Sequence, residues 1–239
     1  MTKQEILAHV DHTLLKADAD WESIRRLCDE AAENHTASIC INPGWVRQAV
    51  QYLDGRVPVC TVIGFPLGAT STQAKLAEIR QALEDGCEEF DMVINIGRLK
   101  SGDVEYVREE IRALKQAVGD HVLKVIIETC LLTQQEKETM CDVVCEAGAD
   151  YIKTSTGFST AGATFEDIEL FARCCRGRCR GPCSRRSGPG RRAGCRWGSG
   201  GALPHQGGRR HPLGSRYGAL PGAGSRPSRN VQRHPHFCK

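Results

Sequence analysis

Val122-Leu123-Lys124-Val125-Ile126-Ile127-Glu128-Thr129 is the stretch on which the fold turns. Its apolar residues run almost without interruption and end in a polar pair. A strand apolar on both sides is expected where a parallel sheet is covered on both faces. Five further runs of this kind stand at His9–Leu14 (the weakest), Ser38–Ile41, Val57–Ile63, Phe90–Asn95 and Tyr151–Ser155. With Asp11, Ile39, Thr61, Met92, Val125 and Ile152 as centres, the steps are 28, 22, 31, 33 and 27 residues. Each step holds a strand, a helix and two short loops, the βα unit of a parallel sheet.

The intervening segments carry helical spacing. Val104, Val107, Ile111, Leu114 and Val118 fall on one helical face, as do Trp21, Ile24, Leu27, Cys28 and Ala31. Met140, Val143, Val144 and Ala147 do the same, with Gly148 placed for a C-cap. Thr164-Phe165-Glu166-Asp167 opens a further helix, its acids suited to the N-terminal dipole. Regular βα repetition allows a doubly wound sheet or a (β/α)8 barrel. Polar residues gather at the strand ends: Asn42, Gly64, Asn95, Glu128-Thr129 and Thr154-Ser155-Thr156-Gly157. Both architectures place their chemistry there. No Gly-x-Gly-x-x-Gly follows the first strand and no Gly-Lys-Ser/Thr loop occurs, which argues against a nucleotide cradle. The expected fold is α/β, a TIM (β/α)8 barrel with about six of its eight units present.

Two lysines, Lys124 and Lys153, interrupt otherwise apolar strands. Burial disfavours a charged amine, and a neighbouring cation adds to that, so such a lysine is expected to have a lowered pKa. A neutral amine can attack a carbonyl and form a Schiff base. The alternatives are a side chain that reaches outward to solvent or pairs with an acid. Asp91, between Phe90 and Met92, could face the barrel interior and move protons beside either lysine, or form a plain buried ion pair. Asp11, in His-Val-Asp-His-Thr, reads more simply as a hydrogen-bonding residue at the start of the fold.

The motifs Val10–Leu15, Ala37–Pro43, Thr61–Gly68, Glu89–Asn95, Leu123–Thr129 and Ala147–Gly157 resemble, in order, those of deoxyribose-phosphate aldolases. The likeness spans residues 1 to about 173. It implies a barrel that needs neither metal nor organic cofactor. The implied reaction is reversible cleavage of 2-deoxy-D-ribose 5-phosphate to acetaldehyde and D-glyceraldehyde 3-phosphate, within deoxyribonucleotide catabolism. It assigns Lys153 as the Schiff-base lysine, Asp91 as proton donor and acceptor, and Lys124 and Asp11 as supporting members of the network. Cys40 would lie at the substrate mouth, and Thr156 and Gly157 near the phosphate, where backbone N–H groups suit an anion. The expected partners are a small sugar phosphate and an aldehyde, and a homo-oligomer is compatible with the family.

The resemblance also calls for a seventh strand with a second catalytic lysine, and an eighth strand that completes the phosphate site. Neither is legible after Arg173. Residues 1–173 hold 17 Lys+Arg and all 29 Asp+Glu, a net −12, whereas 174–239 hold 15 Lys+Arg and no acid, a net +15. The tail carries 14 of 25 Gly, 7 of 10 Pro and only one β-branched aliphatic, Val231, too little apolar surface to offset its ordering entropy. We therefore expect two segments: an incomplete barrel over 1–173, and a basic, disordered or out-of-frame tail over 174–239. Arg/Gly-rich composition can neutralise phosphates, but no Phe or Tyr interleaves with the Arg runs, Tyr217 and Phe237 standing alone, so nucleic acid is not expected as a partner. Cys174, Cys175, Cys179 and Cys183 contain no Cys-x2-Cys pair, so no metal is expected there. The rival to the aldolase is a catalytically dead barrel fragment whose tail binds polyanions. No apolar run is long enough for a membrane span or a signal peptide. Scattered cysteines point to free thiols and a cytoplasmic location.

Overall fold

The computed structural model describes residues 2–175, without the side chain of Cys175. Six parallel strands form one sheet in the order β1-β2-β3-β4-β5-β6. They are β1 (Asp11–Leu14), β2 (Ser38–Ile41), β3 (Val59–Ile63), β4 (Glu89–Val93), β5 (Val122–Ile126) and β6 (Tyr151–Lys153). All six expected strands form. Their bounds shift by a few residues, because Asn95 leaves the sheet to cap a short helix with its side chain. The helices are α1 (Lys3–Leu7), α2 (Trp21–Asn34), α3 (Val46–Leu53), α4 (Thr72–Glu84), α5 (Ile96–Lys100), α6 (Val104–Val118), α7 (Gln134–Glu146) and α8 (Phe165–Cys175). The tail beyond α8, with its expected disorder, lies outside the described residues, and α8 itself runs two residues past the expected boundary.

Each strand pairs with its sequence neighbour, so the sheet is singly wound, as in a barrel. Asp11 on β1 and Lys153 on β6, at opposite ends of that order, come within 3.5 Å. The sheet is therefore curled, with both residues on its concave side. Strand periodicity then sorts the remaining residues. Ile39, Ile41, Val59, Ile63, Phe90, Met92, Leu123, Val125 and Ile152 belong to the large core between sheet and helices. Cys40, Cys60 and Val62 form a separate small cluster with Leu15 and Phe65. Each well-buried aliphatic of the main core contributes roughly 1.5–3 kcal/mol. The sheet is thus held from outside by its helices, which leaves the concave side free for polar groups.

The helices begin where local chemistry allows. Asp20 accepts from the Ser23 amide at the start of α2, and Asp103 from the Tyr106 amide at the start of α6. Thr133 and Glu136 form a reciprocal capping box on α7. Ile24, Leu27, Cys28 and Ala31 of α2 are buried, as the spacing predicts, and so are Val107, Ile111, Leu114 and Val118 of α6. Gly148 follows the α7 cap with φ 81, a conformation that favours glycine. Among the described residues no helix is long and apolar enough to cross a membrane.

Candidate active site

Strand register brings the ionisable residues together. Asp91 of β4 lies opposite Lys124 of β5, and Lys153 of β6 opposite Ile126 of β5, two residues further along. A two-residue offset keeps a side chain on the same face, so both lysines point into the concave side. Lys153 Nζ donates to the Asp91 carboxylate and lies 3.5 Å from Asp11 Oδ2. Lys124 Nζ is 2.9 Å from Asp11, 2.7 Å from Glu89 and 3.3 Å from Asp91. Ser38 Oγ donates to Asp11 at 2.9 Å, and Cys60 Sγ to Asp91 at 3.2 Å. Two ammonium groups thus share three carboxylates, and both lysines are buried.

The electrostatics follow from that sharing. Burial alone would push the Asp11 carboxyl up, but the Lys124 and Lys153 ammoniums outweigh it and hold the pKa at about 2. Burial and the Lys124 charge both oppose the Lys153 ammonium, yet Asp91, helped by Asp11, outweighs them and raises its pKa above the usual lysine value. The expectation of a lowered amine pKa at Lys153 is therefore corrected, because the paired carboxylates win over desolvation and over the one neighbouring cation. Lys124 is likewise raised, against burial, chiefly by Asp91. Glu89 is the exception: burial dominates and raises its carboxyl pKa despite Lys124. Carboxylates held to different degrees against two shared ammoniums can pass a proton among themselves with little motion.

Asp11, Asp91, Lys124 and Lys153 therefore meet in one cluster. Cys40 sits just outside it, buried beside its register partner Cys60. Cys40, Cys60 and Asp91 put their ligand atoms within 4.8 Å of one another. A cation there would compete with two ammoniums already on Asp91. Thr156 and Gly157 follow β6 in the loop beyond Lys153. The Thr156 N–H and O–H both donate to Glu128 Oε2, at 3.2 and 2.5 Å, and Gly157 has φ 81. Sequence reasoning missed Glu89, Ser38 and Cys60 as members of the cluster. Glu89 was legible in principle, since it stands two residues before Asp91 and so shares its face.

A sequence model of the family described as DeoC/LacD family aldolase matches residues 6–193. A deoxyribose-phosphate aldolase of Clostridium botulinum (strain Alaska E43 / Type E3) is 57% identical over 171 residues, 72% of this chain and 77% of its own. One of Brevibacillus brevis is 58% identical over 163 residues, 68% of this chain and 74% of its own. Among solved structures, an aldolase called QR15 superposes with a TM-score of 0.70 at 35% identity, covering 73% of this chain and 78% of its own. A tetrameric deoxyribose phosphate aldolase from Aeropyrum pernix superposes with a TM-score of 0.68 at 29% identity, covering 74% of this chain and 76% of its own.

Proposed function

The chain belongs to the DeoC/LacD family of aldolases, and on that premise we propose that it cleaves 2-deoxy-D-ribose 5-phosphate reversibly through a Schiff base on Lys153. The observation that carries this reading is the Lys153–Asp91 contact inside a cluster of two lysines and three carboxylates. Lys153 rests as an ammonium. Its proton passes to Asp91 as Nζ attacks the sugar's C1 carbonyl, and the carbinolamine then loses water to give the iminium. Asp91, returned to its carboxylate, accepts the proton of the C3 hydroxyl while the C2–C3 bond breaks and its electron pair enters the iminium. D-Glyceraldehyde 3-phosphate leaves. Asp91 returns that proton to C2 of the enamine, and water then releases acetaldehyde from the iminium and restores the Lys153 ammonium.

Lys124 and Asp11 act as supporting groups. Lys124 is the cation that pulls against protonation of Lys153, and Asp11 ties the two lysines together. Cys40 lines the substrate side of the sheet, and the loop at Thr156 and Gly157 receives the phosphate. By composition we assign the barrel domain to residues 1–173 and leave 174–239 outside it. Cys28, Cys40, Cys60, Cys87, Cys130, Cys141 and Cys174 are in no disulfide, which suits the cytoplasm. A homo-oligomer accords with the tetrameric relative.

Borohydride reduction of the full chain in the presence of acetaldehyde tests the assignment. We expect a reduced two-carbon adduct on the peptide containing Lys153, and none there in K153M. No adduct in soluble, folded protein, or an adduct on Lys124 in its place, overturns it.

A further inference from the structure

Where β5 ends, the chain does something costly. Glu128 adopts a left-handed backbone, φ 55 and ψ 66, which a residue with a Cβ takes up only when its surroundings impose it. Its side chain is 2% exposed. One oxygen of the carboxylate, Oε2, accepts both donors of Thr156, and Oε1 lies 3.6 Å from Cys130 Sγ. Thr156 Oγ1 in turn accepts from the Phe158 amide at 3.1 Å, which fixes the turn through Gly157.

The residues flanking Glu128 hold the same loop by their backbones. The Ile127 N–H donates to the Lys153 carbonyl at 3.1 Å, and the Thr129 N–H to the Thr154 carbonyl at 2.8 Å. Between these anchors, the Thr154 and Ser155 hydroxyls are buried and find no hydrogen-bond partner among the described residues. The loop's own hydroxyls at those positions therefore do not set its shape. The strained residue at 128 and its carboxylate do.

We propose that Glu128 is a positioning residue: its buried carboxylate clamps Thr156 and so sets the distance from the Gly157 backbone to Lys153. This deepens the Schiff-base reading and rests on it. Because the Thr156 N–H is engaged by Glu128, the backbone contact to the substrate phosphate falls to Gly157. Glu128 works as an acceptor and exchanges no proton with the reacting atoms. A glutamine can replace it, since an amide oxygen in the place of Oε2 accepts from both the Thr156 N–H and the Thr156 hydroxyl.

Wild type, E128Q, E128A and T156V, each as the full chain, distinguish the possibilities by two measurements. The first is hydrogen–deuterium exchange of the peptide spanning Thr154–Phe158, which needs no activity. We expect exchange about tenfold faster in E128A, with E128Q within about threefold of wild type and T156V between them, as for loss of buried hydrogen bonds. The second compares KM and kcat for the sugar phosphate with borohydride trapping of acetaldehyde, which carries no phosphate. KM should rise about tenfold in E128A while trapping changes by less than about threefold. If E128Q fails as badly as E128A, Glu128 acts by charge or proton transfer and the proposal falls. Unchanged exchange in both E128A and T156V also overturns it. Should E128A not fold, E128Q and T156V still decide. A wild type that traps no acetaldehyde sinks the Lys153 reading, while the exchange measurement still judges the clamp.

Discussion

Lys75 and Lys153 are both buried lysines beside a carboxylate, yet they do opposite things. Lys75, on α4, is fully buried and donates to Glu110 Oε2 and to the Val93 carbonyl, each at 2.8 Å. Glu110 also accepts from the Asn95 amide at 3.2 Å and the Thr72 hydroxyl at 3.3 Å. Each charge has one salt-bridge partner, and the other contacts are hydrogen bonds to the Val93 carbonyl, the Asn95 amide and the Thr72 hydroxyl. Lys153 instead shares Asp91 with Lys124, and Lys124 shares Asp11 with Lys153. Burial lowers the Lys75 pKa in spite of Glu110, whereas the carboxylates raise that of Lys153. On the proposed assignment the lowered amine pKa belongs to Lys75, and the nucleophile is instead the lysine that shares its carboxylates with a second lysine.

Three experiments can break or sharpen that contrast. The largest effect is expected from D91N, which removes the proton acceptor but keeps its shape. Turnover should fall by about 10²–10⁴-fold. With its chief anion gone, Lys153 keeps the opposing influences of burial and Lys124, so the pH midpoint for trapping acetaldehyde on Lys153 should move down. A midpoint that stays put would mean Asp91 is not what holds the ammonium.

Next comes K75M, which strands Glu110 as a buried, uncompensated charge and should cost about 3–5 kcal/mol in urea unfolding. The double variant K75M/E110M should recover to within about 2 kcal/mol of wild type, the remainder being the lost partners of Asn95 and Thr72. A double variant as unstable as K75M would show that the pair is not a closed unit.

The smallest effect concerns Asp11. Its folded pKa of about 2 lies below the ordinary 3.8, so its ionised form adds stability above pH about 4. That contribution, about 2 kcal/mol, disappears as pH falls through about 2. D11N should lose it at neutral pH and unfold with a shallower acid dependence. An acid limb identical to wild type would assign the dependence to other carboxylates.

Much of this arrangement is legible in the amino-acid sequence alone. The strands stand out because their outward residues are mostly apolar, Thr61 and His12 being exceptions, and α2, α6 and α7 because their buried faces are nearly so. α4 does not, for a physical reason: its inward positions are Lys75, Ile79 and Ala82, and the lysine breaks the apolar period. Glu110 hides within the buried face of α6 in the same way. Asp91, Lys124 and Lys153 are visible as charges in apolar strands. Glu89 shares the face of Asp91 by its two-residue offset, but beside Glu88 it reads as the end of a loop. Glu128 is visible only as a polar strand end, since nothing local announces a left-handed backbone or a carboxylate reaching Thr156.

Gly64 and Gly68 show how tightly the β3 end is built. A Cβ on Gly64 would lie 2.6 Å from Lys75 Cε, and one on Gly68 1.9 Å from the Ile94 carbonyl oxygen, both at positive φ. Gly64 leaves room for the Lys75 side chain, and Gly68 lets its turn close on the backbone that follows β4.

The contact between Asp11 and Lys153 joins residues 142 apart in the chain. No helix or hairpin can form it early, and the entropy of closing so long a loop must be met before the contact gives anything back. During synthesis the first strand must wait for the sixth, so Lys153 gains both of its carboxylate partners only when β1 and β6 are in one sheet. An intermediate that had formed β4 to β6 without β1 would hold the Lys153 amine beside Asp91 but without Asp11.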